Sequence, residues 1–314
     1  MILNINTKKA GQFIVYTCLL LLVNTSLLSA QKELYDPNLT GRLFRYEKVK
    51  PLFLDARNID VWVPSDFDSS GRTKYAVLYM HDGQNLFLPG NSFGGAEWGI
   101  DEAMDSLLRR NLIRKTIVVG IWNSPKRFLE YNPEDAFKQL DSTNKRKLSQ
   151  ERGGTSLANQ YLAFVFENVK PFIDGIFPTR SDEKNTFMMG SSMGGLISLY
   201  ALCKYSDQLK GVACLSTHWP LSLKENNTAV ASSYINYFVR HLPNPKQHKL
   251  YFDHGTATLD AWYEPHQNLM DSLCRESGYE SPKDYMSLSF PNAPHNETAW
   301  RSRVGKPLLF LLQP

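Results

Sequence analysis

The chain has 314 residues, with 35 Lys+Arg against 31 Asp+Glu, 42% hydrophobic residues and 21% charged ones. That balance excludes a disordered, collagen-like or coiled-coil protein. The formal charge is only +4, two units of it from Lys8 and Lys9, and without a dense basic stripe nucleic-acid binding has no electrostatic support.

In chain order, residues 1–30 read as a secretory signal. A basic pair precedes an apolar run from Phe13 to Val23, broken only by Thr17, and small residues Ser29-Ala30 close it. The run is shorter than the roughly 20 apolar residues of a bilayer span. Cleavage after Ala30, a secreted or periplasmic protein and no stable membrane insertion are the expectation. Residues 31–44 read as a polar lead-in and 45–314 as one domain. Cys203, Cys214 and Cys274 are an odd set at irregular spacing, which is no disulfide framework, and Cys203 and Cys214 read as small core residues.

Strands then alternate with helices. Ile59–Val63 alternates and stops at Pro64, Tyr75–Met80 and Thr116–Ile121 are apolar runs, and Asn185–Met189, Gly211–Leu215, Lys249–Phe252 and Met286–Phe290 read as further strands. Helical spacing marks Ile100–Leu112, Leu157–Ile173, Met193–Cys203 and a segment around Pro265–Glu276. Residues 125–154 are polar, and their Lys145-Arg146-Lys147 cluster reads as a solvated face. Apolar strands alternating with helices predict a mostly parallel sheet covered on both faces.

The sharpest motif is Gly190-Ser191-Ser192-Met193-Gly194-Gly195, a G-x-S-x-G between a strand and a helix. A strand-to-helix turn there lifts the Ser192 hydroxyl out of the sheet, and the Met193 N–H at the helix start can face an oxyanion. A hydroxyl needs a base, and the base needs an orienting acid. Of seven histidines, His295 alone is both last and placed in a loop after a strand. The loop after Lys249–Phe252 offers Asp260 as the preferred acid, with Asp253 and, slightly beyond, Glu264 as alternatives. A second oxyanion donor is expected in His81-Asp82-Gly83-Gln84-Asn85, at the N–H of Gln84. His81 and Asp82 themselves read as structural. Trp219 is the preferred substrate-stacking aromatic. No metal or organic cofactor is implied.

The strand ending His81-Asp82-Gly83-Gln84-Asn85, the serine elbow, Gly255-Thr256 after a late strand, and His295-Asn296-Glu297 with Trp300 together resemble the putative-esterase family of α/β hydrolases. That group includes esterase D-type, feruloyl, acetylxylan and siderophore esterases and mycolyltransferases. The resemblance spans roughly residues 45–312. It implies an α/β-hydrolase fold and a serine hydrolase with Ser192 as nucleophile, His295 as base, an acid in the Gly255 loop and oxyanion donors at Met193 and Gln84. One departure stands out. Several members carry the carboxylate closer to the Gly-Thr pair, where this chain has Thr258. The expected activity is hydrolysis of a small-molecule or oligosaccharide ester, an acylated carbohydrate above all. The alternatives are a siderophore esterase or acyltransferase using the same residues, or a catalytically silent ligand-binding protein.

Overall fold

The structure, a computed structural model, describes residues 31–314. The expected signal, residues 1–30, lies outside the described residues. Nine strands form one sheet in the order β1-β2-β3-β5-β4-β6-β7-β8-β9. β1 (Gln31–Leu34), β2 (Arg42–Val49) and β3 (Arg57–Val63) pair antiparallel, and β3 joins β5 (Thr116–Ile121) antiparallel. From β5 onward every neighbour is parallel: β4 (Ala76–His81), β6 (Thr186–Ser191), β7 (Gly211–Leu215), β8 (Lys249–Gly255) and β9 (Tyr285–Phe290). The sheet therefore begins inside the stretch read as a polar lead-in.

Residues in β4, β5, β6 and β7 are buried throughout, as strands covered on both faces must be. One face packs on α1 (Ile100–Arg109) and on α8 (Gly305–Leu312) through Met104, Leu107, Leu308 and Leu311. The other packs on four helical elements. These are a continuous run over 158–176 with a π-helical turn at its centre (α3), α4 (Met193–Lys204), α5 (Thr228–His241) and α6 (Glu264–Glu276). The polar stretch before α3 folds as short helical turns followed by α2 (Ser142–Arg152), whose N-cap Asp141 accepts from the N–H groups of Thr143 and Asn144. A last helix, α7 (Glu297–Arg303), precedes α8.

Antiparallel strands β2 and β3 meet through a buried pair, Arg45 and Asp60, bonded at 2.7 and 2.8 Å. A parallel sheet of this kind gathers the carboxyl ends of its strands along one edge, and sites form in the loops there. The loops after β4, β6, β7, β8 and β9 are the ones that matter below.

Candidate active site

β6 ends at Ser191, and the next residue turns sharply: Ser192 has φ 58° and ψ −122°, and α4 opens at Met193. A non-glycine residue held there costs on the order of 1–3 kcal/mol. Neighbouring bonds hold it in place. Ser192 N–H donates to the Leu215 carbonyl at 2.8 Å, and His218 N–H donates to the Ser192 carbonyl at 3.2 Å. Strand and helix must also cross closely, since a Cβ on Gly190 would lie 2.8 Å from the Gly194 carbonyl carbon. Any larger residue at 190 would push α4 away and move the serine. Met193, as the first residue of α4, carries one of the N–H groups that a helix leaves without an internal partner.

The loop after β9 brings His295 to the same edge. His295 N–H donates to Thr258 Oγ1 at 2.8 Å, and Asn292 N–H to Thr256 Oγ1 at 2.7 Å, so the loops after β8 and β9 are zipped together. Asp260 Oδ1 then lies 2.5 Å from His295 Nδ1. The other carboxylate oxygen accepts from Ser216 Oγ and from the Gly255 N–H, both at 2.6 Å. Burial alone pushes the Asp260 carboxyl up, but the bonds from His295, Ser216 and Gly255 outweigh it and leave it below its ordinary value. An ionised Asp260 accepts the Nδ1–H of His295 and leaves Nε2 with a free lone pair, the arrangement a general base requires. Trp300 and Tyr263 stand edge-on to the imidazole, with ring centroids 5.0 and 5.7 Å away.

The other two carboxylates lie elsewhere. Asp253 is buried within β8 and meets Arg303 at 3.0 Å and the Tyr251 hydroxyl at 3.0 Å. Burial raises its pKa, and Arg303 only partly offsets that. Glu264 is exposed at the start of α6.

On the opposite side of the elbow, the loop after β4 turns through Asp82 in the left-handed region, φ 57° and ψ 46°. Gly83 is required here because a Cβ would lie 2.5 Å from the Gly120 backbone. The Gln84 side chain accepts from Asn123 N–H at 3.2 Å. Asp82 makes a two-pronged pair with Arg127, both bonds 2.7 Å, and accepts from Asn123 Nδ2 at 2.7 Å. Arg127 also reaches the Ser191 carbonyl at 3.5 Å, tying this loop to the elbow. His81 is buried, with Nδ1 2.7 Å from the Tyr161 hydroxyl, and burial pushes its pKa down to about 3. His81 and Asp82 thus each have a separate partner. At the rim, Glu297 Oε1 accepts from Asn85 Nδ2 at 3.3 Å, and burial raises its carboxyl pKa.

Trp219 requires a correction. It is fully buried, between Phe238 at 6.2 Å and Phe252 at 6.1 Å, and its Nε1 donates to Gln267 Oε1 at 3.2 Å. The turn at Thr217 and His218 folds it back into the core, where no sugar can stack on it. Sequence reasoning also passed over Ser216, Arg303 and Tyr263, and gave no role to Thr258 or His218. Thr258 marked a departure from the family pattern, and it is the residue whose hydroxyl holds the His295 backbone. Ser216 follows a buried strand with φ 44°, a conformation that the sequence does not announce. Among the described residues, no group of three or more His, Cys, Asp or Glu side chains is arranged to hold a metal ion. Nor is any described helix long and apolar enough to cross a membrane.

Comparison with known proteins bears on this geometry. The model of the family described as "Putative esterase" matches residues 54–310. The uncharacterised protein YbbA of Bacillus subtilis is 24% identical over 166 residues, covering 52% of this chain and 58% of the relative. The siderophore enterobactin esterase of Emericella nidulans is 30% identical over 148 residues, covering 43% of each chain. The chain thus spans about half the length of the curated relatives it matches. A solved ferulic acid esterase superposes with a TM-score of 0.62 at 17% identity, over 87% of this chain and 98% of the other, which shows the α/β-hydrolase fold.

Proposed function

We propose, from the premise that the chain belongs to the family described as "Putative esterase", that it is a serine hydrolase of carboxylic esters using Ser192, His295 and Asp260. The observation that carries this reading is the 2.5 Å contact between Asp260 and His295 at the sheet edge where Ser192 is held in a strained turn. In the proposed reaction, Ser192 Oγ attacks the ester carbonyl while His295 Nε2 takes its proton. Asp260 stabilises the imidazolium that forms. Met193 and Gln84 N–H groups stabilise the oxyanion, each worth about 2.7–4 kcal/mol of barrier in comparable sites. His295 returns the proton to the leaving alcohol. Water, deprotonated by the same imidazole, then cleaves the acyl-enzyme.

An acylated carbohydrate is the favoured substrate. The Glu297 carboxylate beside Asn85 opposes a strongly anionic substrate and accepts hydrogen bonds from hydroxyls, as a sugar would offer. A siderophore ester is the second reading, drawn from the relative in Emericella nidulans. Transfer to an alcohol instead of water uses the same residues. Export, argued from residues 1–30, belongs to this proposal too, and the N-terminal sequence of the protein recovered outside the cytoplasm checks it.

The test is a panel of acetyl, butyryl, feruloyl and siderophore-lactone esters with Ser192→Ala as control, beside labelling by a fluorophosphonate probe. Turnover in the variant falls at least about a thousandfold and labelling disappears. Retained turnover refutes the assignment. Failure of the unaltered protein to label marks a silent binding protein instead.

A further inference from the structure

Two buried polar residues behind Ser192, His218 and Tyr263, take no part in the proton transfers above. Tyr263 follows Asp260 by three positions, and its N–H donates to the Asp260 carbonyl at 2.9 Å. The turn between them sets the Tyr263 ring at 78° to that of His295, with centroids 5.7 Å apart, and the nearby Ser192 side chain partly offsets the rise that burial imposes on the Tyr263 hydroxyl. His218 lies just beyond β7 and is tied to the elbow by its own N–H, which donates to the Ser192 carbonyl. Its ring Nδ1 lies 2.7 Å from the Tyr263 hydroxyl. The phenol therefore stands between an imidazole and the nucleophile.

The directions of these hydrogen bonds follow from counting protons. Burial lowers the pKa of His218, so its ring is neutral and carries a single N–H. Its Nε2 is buried and has no hydrogen-bond partner among the described residues. If Nε2 held the proton, a buried donor would go unpaired, which is rarer and costlier than an unpaired acceptor. Tyr263 would then donate to Nδ1 and could only accept from Ser192, drawing the serine proton away from His295. With the proton on Nδ1, both problems vanish. Nδ1–H donates to the phenol oxygen, the phenol O–H donates to Ser192 Oγ, and the serine proton is left to point at His295 Nε2.

We propose that Tyr263 is a further catalytic residue, donating a hydrogen bond to Ser192 Oγ, and that His218 is the positioning residue that sets the direction of that bond. The proposal rests on the Ser192–His295 chemistry above. During acylation the Tyr263 bond orients the oxygen while its proton passes to His295. During deacylation the C–Oγ bond breaks, His295 returns a proton to Oγ, and the phenol bond stabilises the charge that gathers on the departing oxygen. Tyr263 keeps its own proton throughout, so the balance of the reaction is unchanged.

The test uses the full chain and p-nitrophenyl acetate. Tyr263→Phe deletes one hydroxyl, His218→Leu deletes the donor, and His218→Asn places an amide N–H at the position of ring Nδ1. Tyr263→Phe and His218→Leu lose about 10- to 100-fold in kcat, with KM changed by a few-fold at most. His218→Asn stays within a few-fold of the unaltered protein. The Tyr263→Phe/His218→Leu double variant is no worse than Tyr263→Phe alone, because His218 acts only through the phenol. Thermal unfolding shows which variants are folded, and Tyr263→Phe with His218→Asn suffices if His218→Leu is not. Unchanged kcat in Tyr263→Phe overturns the proposal, and His218→Asn as damaging as His218→Leu overturns the donor role of His218. Both outcomes leave the effect of Ser192→Ala intact, which separates failure of this inference from failure of the esterase reading.

Discussion

Asp260→Asn is the substitution that most directly probes the proposed site, because the hydrogen bonds around the carboxylate dictate how the new amide must sit. Asp260 Oδ2 accepts from two donors, Ser216 Oγ and Gly255 N–H. An amide NH2 placed there would face two donors, so the amide oxygen takes that position and the NH2 turns toward His295 Nδ1. The NH2 can only donate. His295 must then accept at Nδ1 and carry its proton on Nε2, where the free lone pair is needed. The geometry is kept and the tautomer is inverted. In another serine hydrolase the same change costs about ten-thousandfold in kcat, equivalent to about 5 kcal/mol of barrier. Here kcat for p-nitrophenyl acetate should fall by that order while thermal stability and KM move little. Asp253→Asn is the control. It disturbs the buried pair with Arg303 and lowers stability, yet the folded fraction keeps its kcat. Near-normal kcat in Asp260→Asn, or loss of kcat confined to Asp253→Asn, would refute the assignment of the acid.

Two further predictions concern stability. Arg57 and Glu130 form a two-pronged pair at 2.7 and 2.8 Å with both side chains 0% exposed. Arg57→Met strands the carboxylate and should cost about 3–5 kcal/mol in chemical denaturation, whereas Arg57→Met/Glu130→Leu recovers most of it; equal loss in both variants would contradict this. Asp101 accepts from Thr40 N–H and is pushed up to about 7 by burial, with the Glu102 charge adding to the effect. Between the ordinary carboxyl value of about 4 and that raised value, the folded chain holds a proton that the unfolded chain has released. Stability therefore falls as pH rises through that window. Asp101→Asn should flatten the fall in Tm between pH 5 and pH 8, and an unchanged slope assigns the dependence to other groups.

The centre of the parallel sheet was legible because β4, β5, β6 and β7 are buried on both faces and are mostly apolar, while the part-exposed β9 was legible from the alternation Met286-Ser287-Leu288-Ser289-Phe290. β1 and β2 were not, since β2 hides a buried arginine whose partner, Asp60, lies on another strand. Helix α5 was also passed over. Its apolar residues Val230, Ala231, Tyr234, Ile235 and Phe238 recur at helical spacing, but Ser, Thr and aromatic side chains between them blur the pattern. Trp219 shows the opposite error, a residue just past a strand taken for a surface aromatic when the following turn sends it inward.

Within the site, legibility divides along the range of the interactions. Ser192 is set by residues within a few positions of it, so its place can be read from G-x-S-x-G between strand and helix. His295 follows from chain order and one strand. The acid follows from neither. Asp253 and Asp260 lie in the same segment, and local propensity favours neither one. The choice is made by contacts distant in sequence: Ser216 donates to Asp260, and Ser216 is itself approached by Trp300 Nε1 at 3.0 Å and Arg303 at 2.9 Å. Arg303 at the same time occupies Asp253, removing it from competition. One arginine on α7 thus pairs with Asp253 and braces the serine that donates to Asp260. A sequence lacking Arg303 would leave the Asp253 carboxylate buried with only the Tyr251 hydroxyl as partner, a loss of about 3–5 kcal/mol for a broken buried pair, and would take one donor from the Ser216 hydroxyl that bonds Asp260.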